Sequence, residues 1–124
     1  MLYAVLCYNS EDVVGAWSKE MDDATMAGLK RVEDKYAAMG KLGPVARLMP
    51  TTAATTLRAG RGESIVIDGP FAETKEQFLG FFVVDCTTLD EAIEFARELS
   101  GAHPGAATYE IRPLAIFHPG VGLT

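Results

Sequence analysis

Phe81-Phe-Val-Val-Asp-Cys-Thr-Thr-Leu-Asp-Glu91 holds a strand, a helix start and the break between them. Phe81 to Cys86 alternates Phe81, Val83, Asp85 on one face with Phe82, Val84, Cys86 on the other. Thr88-Leu-Asp-Glu91 has capping-box spacing, with Thr88 as the cap and Glu91 reaching back. The helix it opens carries Leu89, Ala92, Ile93, Ala96 and Leu99 on one face, and Ser100-Gly101 ends it. A small-residue loop over 101–107 leads to a last strand, Thr108 to Phe117. This half of the chain therefore reads β-α-β.

The first half repeats the pattern. Leu2 to Tyr8 is an apolar run bounded by Asn9-Ser10. Residues 10–20 read as a polar, irregular segment. Asp22 or Asp23 can cap a helix to about Met39, with Met26, Leu29, Val32, Tyr36 and Met39 as its stripe. Gly40 suits its left-handed end. Leu42 to Leu48 is the next strand, broken by Gly43-Pro44. Between the halves, Thr51–Arg58 and Ser64–Ile67 flank Gly60-Arg61-Gly62, a hairpin signal. Residues 72–78 have room for one helical turn. Two split β-α-β halves describe a ferredoxin-like α+β sandwich: an antiparallel sheet, two long helices on one face and an inserted hairpin. The expected organisation is one domain over 1–117 and a flexible tail over 118–124.

The strands carry a second inference. Leu2, Ala4, Leu6 and Tyr8 lie on one face of the first strand, and Tyr3, Val5 and Cys7 on the other. Strands apolar on both sides are covered on both sides. Two long helices cover one face only, and soluble monomers rarely expose apolar patches of many hundreds of Å². Either a second copy of the sheet or the hairpin over 53–67 must cover the remainder. The hairpin alternates in polarity and suffices for only part of the area, so a homodimer is expected, with ligand-sized clefts beside the interface.

Composition excludes several classes. The chain has 124 residues, 48% hydrophobic and 23% charged, with net charge −6. Its eleven basic residues are scattered, which argues against nucleic acid. Two cysteines, Cys7 and Cys86, fall in apolar strands and read as buried thiols. With two histidines and no CxxC they give no metal-ligand spacing, so neither metal nor cofactor is expected. The first eight residues lack a basic n-region, and no apolar run reaches spanning length. A cytoplasmic protein with no membrane contact is the expectation.

Asp68-Gly-Pro-Phe-Ala-Glu-Thr-Lys-Glu76 is the most specific stretch for function. Asp68, Glu73, Thr74, Lys75 and Glu76 crowd a Gly-Pro break between two apolar strands. Asp68 either closes this turn or is a rigid carboxylate at a cleft mouth, fit to move a proton. Lys75 is a candidate anchor for an anionic group, with Glu73 or Glu76 orienting the ligand. The alternative for all three is a solvated charged turn. Phe71 is a core plug or a ligand platform. Glu110 and Arg112 share a face of the last strand; Arg112 either grips a carboxylate bidentately or pairs with Glu110. His103 and His118 flank Pro/Gly stretches and read as exposed.

Thr55-Thr56-Leu57-Arg58, the block Asp68 to Gln77, Gly80-Phe81 and Glu110-Ile-Arg-Pro113 closely resemble the DGPF-domain branch of the YCII-related proteins, over nearly the whole chain. The resemblance implies a dimeric α+β barrel and a bacterial protein of unassigned activity. It also implies a regulatory setting, because relatives are often encoded beside, or fused to, extracytoplasmic-function sigma factors. The wider group carries a His–Asp pair in its cleft. This chain has no histidine on its first long helix, and only Asp68 carries over. After Gln77 it reads Phe78-Leu79-Gly80-Phe81 where the branch has Leu-Gly-Gly-Phe. The resulting expectation is a small-molecule-binding homodimer, or a metal-independent enzyme using Asp68. The alternative is a non-catalytic module that binds a protein partner such as a sigma factor through the acidic stretch of Glu11, Asp12, Glu20, Asp22 and Asp23.

Overall fold

A computed structural model describes residues 1–123. Thr124, the last residue of the expected tail, lies outside the described residues. The elements run β1 (Leu2–Asn9), α1 (Glu11–Gly15), α2 (Lys19–Ala38), β2 (Leu42–Arg47), β3 (Thr55–Arg58), β4 (Ile65–Asp68), β5 (Gln77–Asp85), α3 (Leu89–Ala102) and β6 (Thr108–Pro113). The protein is a mixed α+β fold. Its four-stranded antiparallel sheet has the order β2-β5-β1-β6, and β3 and β4 pair as a separate two-stranded ladder. The larger sheet is open, with β2 and β6 at its edges. Among the described residues no closed barrel forms.

Three local readings are corrected. The segment over 10–20 is not irregular: it holds α1 and a cap, because Ser18 Oγ accepts from Met21 N. The long helix therefore starts at Lys19, ahead of Asp22 and Asp23. Residues 72–78 form no helical turn, and β5 starts already at Gln77. The segment at 51 opens with a single 3-10 turn, Thr51–Ala53, before β3. Other signals were legible. Gly40 takes φ +71, and Thr88 Oγ1 accepts from Glu91 N at 3.2 Å. Glu91 Oε2 in turn accepts from Thr87 N.

The core lies between the sheet and the two long helices. Tyr3, Val5 and Cys7 of β1 and Phe82 and Val84 of β5 face Leu29 and Tyr36 of α2 and Ala92, Phe95, Ala96 and Leu99 of α3. Phe95 is fully buried and meets Tyr36 and Phe82 edge-to-face, at 4.7 and 5.6 Å between ring centres. Gly28 lets the helices close: a Cβ there would stand 2.9 Å from that of Ala102.

The opposite face of the sheet shows the other half of the alternation. Leu2, Ala4, Leu6, Tyr8 and Phe81 are half-buried there, opposite Glu110 and Arg112 of β6 in register. The β3–β4 ladder does not pack extensively on this face. It exposes Leu57, Ile65, Val66 and Ile67 instead.

Candidate functional site

Of the concavities that flank α1, two differ sharply in chemistry. The first is an open polar hollow of about 610 Å³, lined by Asp12, Thr51, Thr52, Asp68, Gly69, Pro70, Ala72, Glu73, Thr74 and Gln77. Its rim is set by Gly69. That residue takes φ +109, a value that disfavours any side chain. Gly69 N donates to Ala54 O at 2.7 Å, and Thr56 Oγ1 donates to Gly69 O at 2.8 Å. Gly69, next to Asp68, is thus tied through both its backbone groups to Ala54 and Thr56. The Asp68 carboxylate itself makes no hydrogen bond among the described residues.

A chain of hydrogen bonds forms the floor. Gln77 Nε2 donates to Thr74 O at 2.6 Å, and Gln77 Oε1 accepts from Glu11 N at 2.8 Å. Glu11 then accepts from Thr51 N and Thr51 Oγ1 at 2.7 and 2.6 Å. These bonds tie α1 to β5 and to the 3-10 turn, which brings Asp12 to the hollow. Sequence reading had placed Asp12 only in an acidic surface stretch.

The other expected site residues divide. Glu73 lines the hollow with Asp68. Glu76 turns away and accepts from Thr108 Oγ1 at 3.2 Å. Lys75 and Phe71 are exposed and do not line it; Phe71 is 77% exposed, so it plugs no core within this chain. Arg112 is exposed on the uncovered sheet face. It does not pair with Glu110, whose Oε1 instead accepts from Tyr8 OH at 3.1 Å. The hollow of a single chain is therefore acidic. Among the described residues, no group of three or more His, Cys, Asp or Glu is arranged to hold a metal ion.

The second concavity is an apolar chamber of about 140 Å³ between sheet and helices. Cys7, Gly80 and Phe82 form its floor, and Met26, Leu29 and Glu33 of α2 one wall. Val45, Ala46 and Arg47 of β2 form another, and Val14, Trp17, Leu79 and His103 complete it. Gly80 is required here: a Cβ would run into the Ala46 carbonyl oxygen. Leu79, where the resemblance expects glycine, sits at the irregularity in the β1–β5 ladder and contributes to the wall.

Burial dominates the chamber's electrostatics. It pushes the Cys7 thiol up to about 12. It raises the Glu33 carboxyl, against the pull of Lys30. It holds the His103 imidazole below its usual range, helped by the Arg47 charge. Arg47 itself is engaged by both oxygens of Asp22, at 3.0 and 3.4 Å. His103 corrects the expectation of an exposed loop residue. It is half-buried, its Nδ1 is sealed from solvent without a partner, and Trp17 and Tyr109 stand edge-on to it at 5.8 and 6.1 Å. The overlooked signal was Val13-Val-Gly-Ala-Trp17, an apolar run inside the segment read as polar.

The YCII-related domain matches residues 1–115. An uncharacterized protein of Rhizobium meliloti (strain 1021) is 64% identical over 120 residues, covering 97% of each chain. No helix among the described residues is long and apolar enough to cross a membrane. The chain belongs to the YCII-related family.

Proposed function

We propose that this protein is a bacterial, cytoplasmic homodimer of the DGPF branch that binds a small molecule at the Asp68 hollow. Asp68 is its binding or acid/base carboxylate. The observation that carries this reading is an unbonded carboxylate on a rim held by Gly69 at φ +109. A side chain that only closed a turn would be expected to bond its neighbouring backbone. With Asp12 and Glu73 beside it, the hollow suits a ligand bearing a cation or several hydroxyls. Lys75 and Arg112 do not line it in one chain, so their role as anchors for an anionic group requires the second copy. The same holds for Phe71 as a ligand platform. Glu76, tied to Thr108, orients the turn and not the ligand.

Support for the dimer comes from the half-buried apolar face of the sheet and the exposed apolar ladder. The strand order β2-β5-β1-β6 is that of a ferredoxin-like sheet, and two such sheets face to face make the dimeric barrel. The test has two arms. Light scattering should give a dimer, and Leu6→Glu should give folded monomers. A panel of polyhydroxylated and cationic metabolites should include a binder that Asp68→Asn weakens about tenfold or more, the loss expected of a charge-assisted hydrogen bond. Equal binding of every compound by wild type and variant removes Asp68 from the site. The runner-up is a regulatory module docking a protein such as a sigma factor. It is favoured by Leu57 and Val66, 62% and 65% exposed side by side on β3 and β4. A stoichiometric complex that survives Asp68→Asn and is lost in Leu57→Glu would favour it.

A further inference from the structure

The apolar chamber lies apart from the Asp68 hollow, and the proposal above makes no use of it. The geometry points to a second small-molecule site there, whose ligand is a single-ring molecule bearing one neutral hydroxyl, of the phenol class. Three properties of the chamber select that chemistry.

Size comes first. A closed cavity of about 150 Å³ is known to take benzene, and this one measures about 140 Å³. That is room for one ring, with the mouth at Val45 open to the surface. Its lining is mainly aliphatic and aromatic: Val14, Trp17, Met26, Leu29, Leu79 and Phe82.

The second property is a single unanswered polar group. Among the described residues, His103 is the lining residue with a side-chain nitrogen that is both sealed and unpartnered. Neutral imidazole has one donor nitrogen and one acceptor. A hydroxyl both donates and accepts, so it satisfies Nδ1 in either tautomer. A ketone or an ether answers only one. Nδ1 is sealed, with the Trp17 and Tyr109 rings edge-on to the imidazole, so the assignment requires Trp17 to shift and open it to the hydroxyl.

The third property excludes acids. The chamber's cation, Arg47, is already held by Asp22. Glu33, its wall carboxyl, offers a ligand carboxylate no positive partner. A neutral ring with a hydroxyl is therefore preferred over a ring with a carboxylate.

Trp17 is the only tryptophan of the chain, so its fluorescence reports this chamber selectively. Wild-type protein is titrated with phenol, toluene and benzoate, exciting tryptophan alone. Phenol should give a saturable change. Toluene should bind about three- to tenfold more weakly, the factor expected of one neutral hydrogen bond. Benzoate should bind weakest. His103→Leu should bring phenol down to the level of toluene and leave toluene unchanged. His103→Gln, which keeps hydrogen-bonding capacity, should retain part of the phenol preference and covers the case in which the leucine variant is unstable. Val45→Phe, at the exposed edge strand, should fill the mouth and weaken both neutral probes. Asp68→Asn should bind phenol like wild type, which separates this site from the hollow. Equal affinity for phenol and toluene, a preference for benzoate, an unaltered phenol affinity in both His103 variants, or no saturable change would each overturn the assignment.

Discussion

The hollow and the chamber sit on either side of one short helix, yet they are built by opposite means. The hollow gathers Asp12, Asp68 and Glu73 at an open rim, and hydrogen bonds made by other groups, those of Gly69, Thr56, Gln77 and Glu11, hold its shape. The chamber is walled in part by side chains that also belong to the core, and Cys7, Glu33 and His103 of its lining are desolvated. A site of the first kind can change its charges without disturbing the fold. A site of the second kind shares its walls with the packing that holds the sheet to the helices. The difference predicts which substitutions affect ligand alone and which affect both ligand and stability.

Phe82 tests that contrast most severely. It lines the chamber and packs edge-to-face on the buried Phe95. Phe82→Ala should cost about 3–5 kcal/mol in urea unfolding, the range for removing a buried ring. A cost below about 1 kcal/mol would show that the chamber is not part of the core.

Gly80 gives the next largest effect. Its hypothetical Cβ meets backbone, the Ala46 carbonyl and the Arg47 Cα, and backbone cannot turn aside as a side chain can. Gly80→Ala should cost about 1–3 kcal/mol by overpacking. Hydrogen exchange should show the loss concentrated in β2, because β5 must push that edge strand away. The strand carries Val45, Ala46 and Arg47, so the chamber should lose its phenol preference in the same variant.

His103 supplies a smaller effect, with a sign. Its folded pKa lies below the ordinary value of 6.5, through burial first and the Arg47 charge second. The unfolded chain therefore takes up the proton more readily. The stability linked to this histidine is complete above pH 6.5 and is lost as pH falls through the folded value. Glu33 works in the opposite direction: its raised pKa adds stability as pH falls through the carboxylate range. Comparing wild type with His103→Leu isolates the histidine. The two melting-temperature profiles should run parallel above pH 6.5, and wild type should fall relative to the variant below it. Parallel profiles throughout would mean that His103 is solvated.

These residues also show how far the sequence was readable. The β-α-β halves were legible because Phe82, Val84 and Leu99 follow the periods of strand and helix, and because Thr88 and Glu91 form a cap by spacing alone. The hollow was legible in part, since Asp68, Gly69 and Pro70 announce a turn whatever surrounds them. Its other side was not. Asp12 reaches it through α1, which depends on Glu11 meeting Thr51 across forty positions of sequence. The chamber was illegible for the same reason. His103 looks like loop until Trp17, just past a helix too short to show a periodicity, covers it. Arg112 and Glu110 were correctly placed on one face, but their pairing was not, because Tyr8 on the neighbouring strand competes for the carboxylate.

The smallest expected effect decides most about the hollow. Asp12, Asp68 and Glu73 are exposed, and Asp68 has no hydrogen bond to lose. Each of Asp12→Asn, Asp68→Asn and Glu73→Gln should change stability by less than about 0.5 kcal/mol, the usual range for surface positions without a structural partner. Like charges sharing one hollow repel weakly through water, so any change should be a slight gain at low salt. That gain should vanish near 1 M salt, where the screening length falls to roughly 3 Å. If Asp68→Asn alone costs more than about 1 kcal/mol and salt leaves that loss intact, its carboxylate is closing the turn. A rim carboxylate would then be part of what holds the hollow, as the chamber's lining is part of the core, and the contrast between the two sides of α1 would be gone.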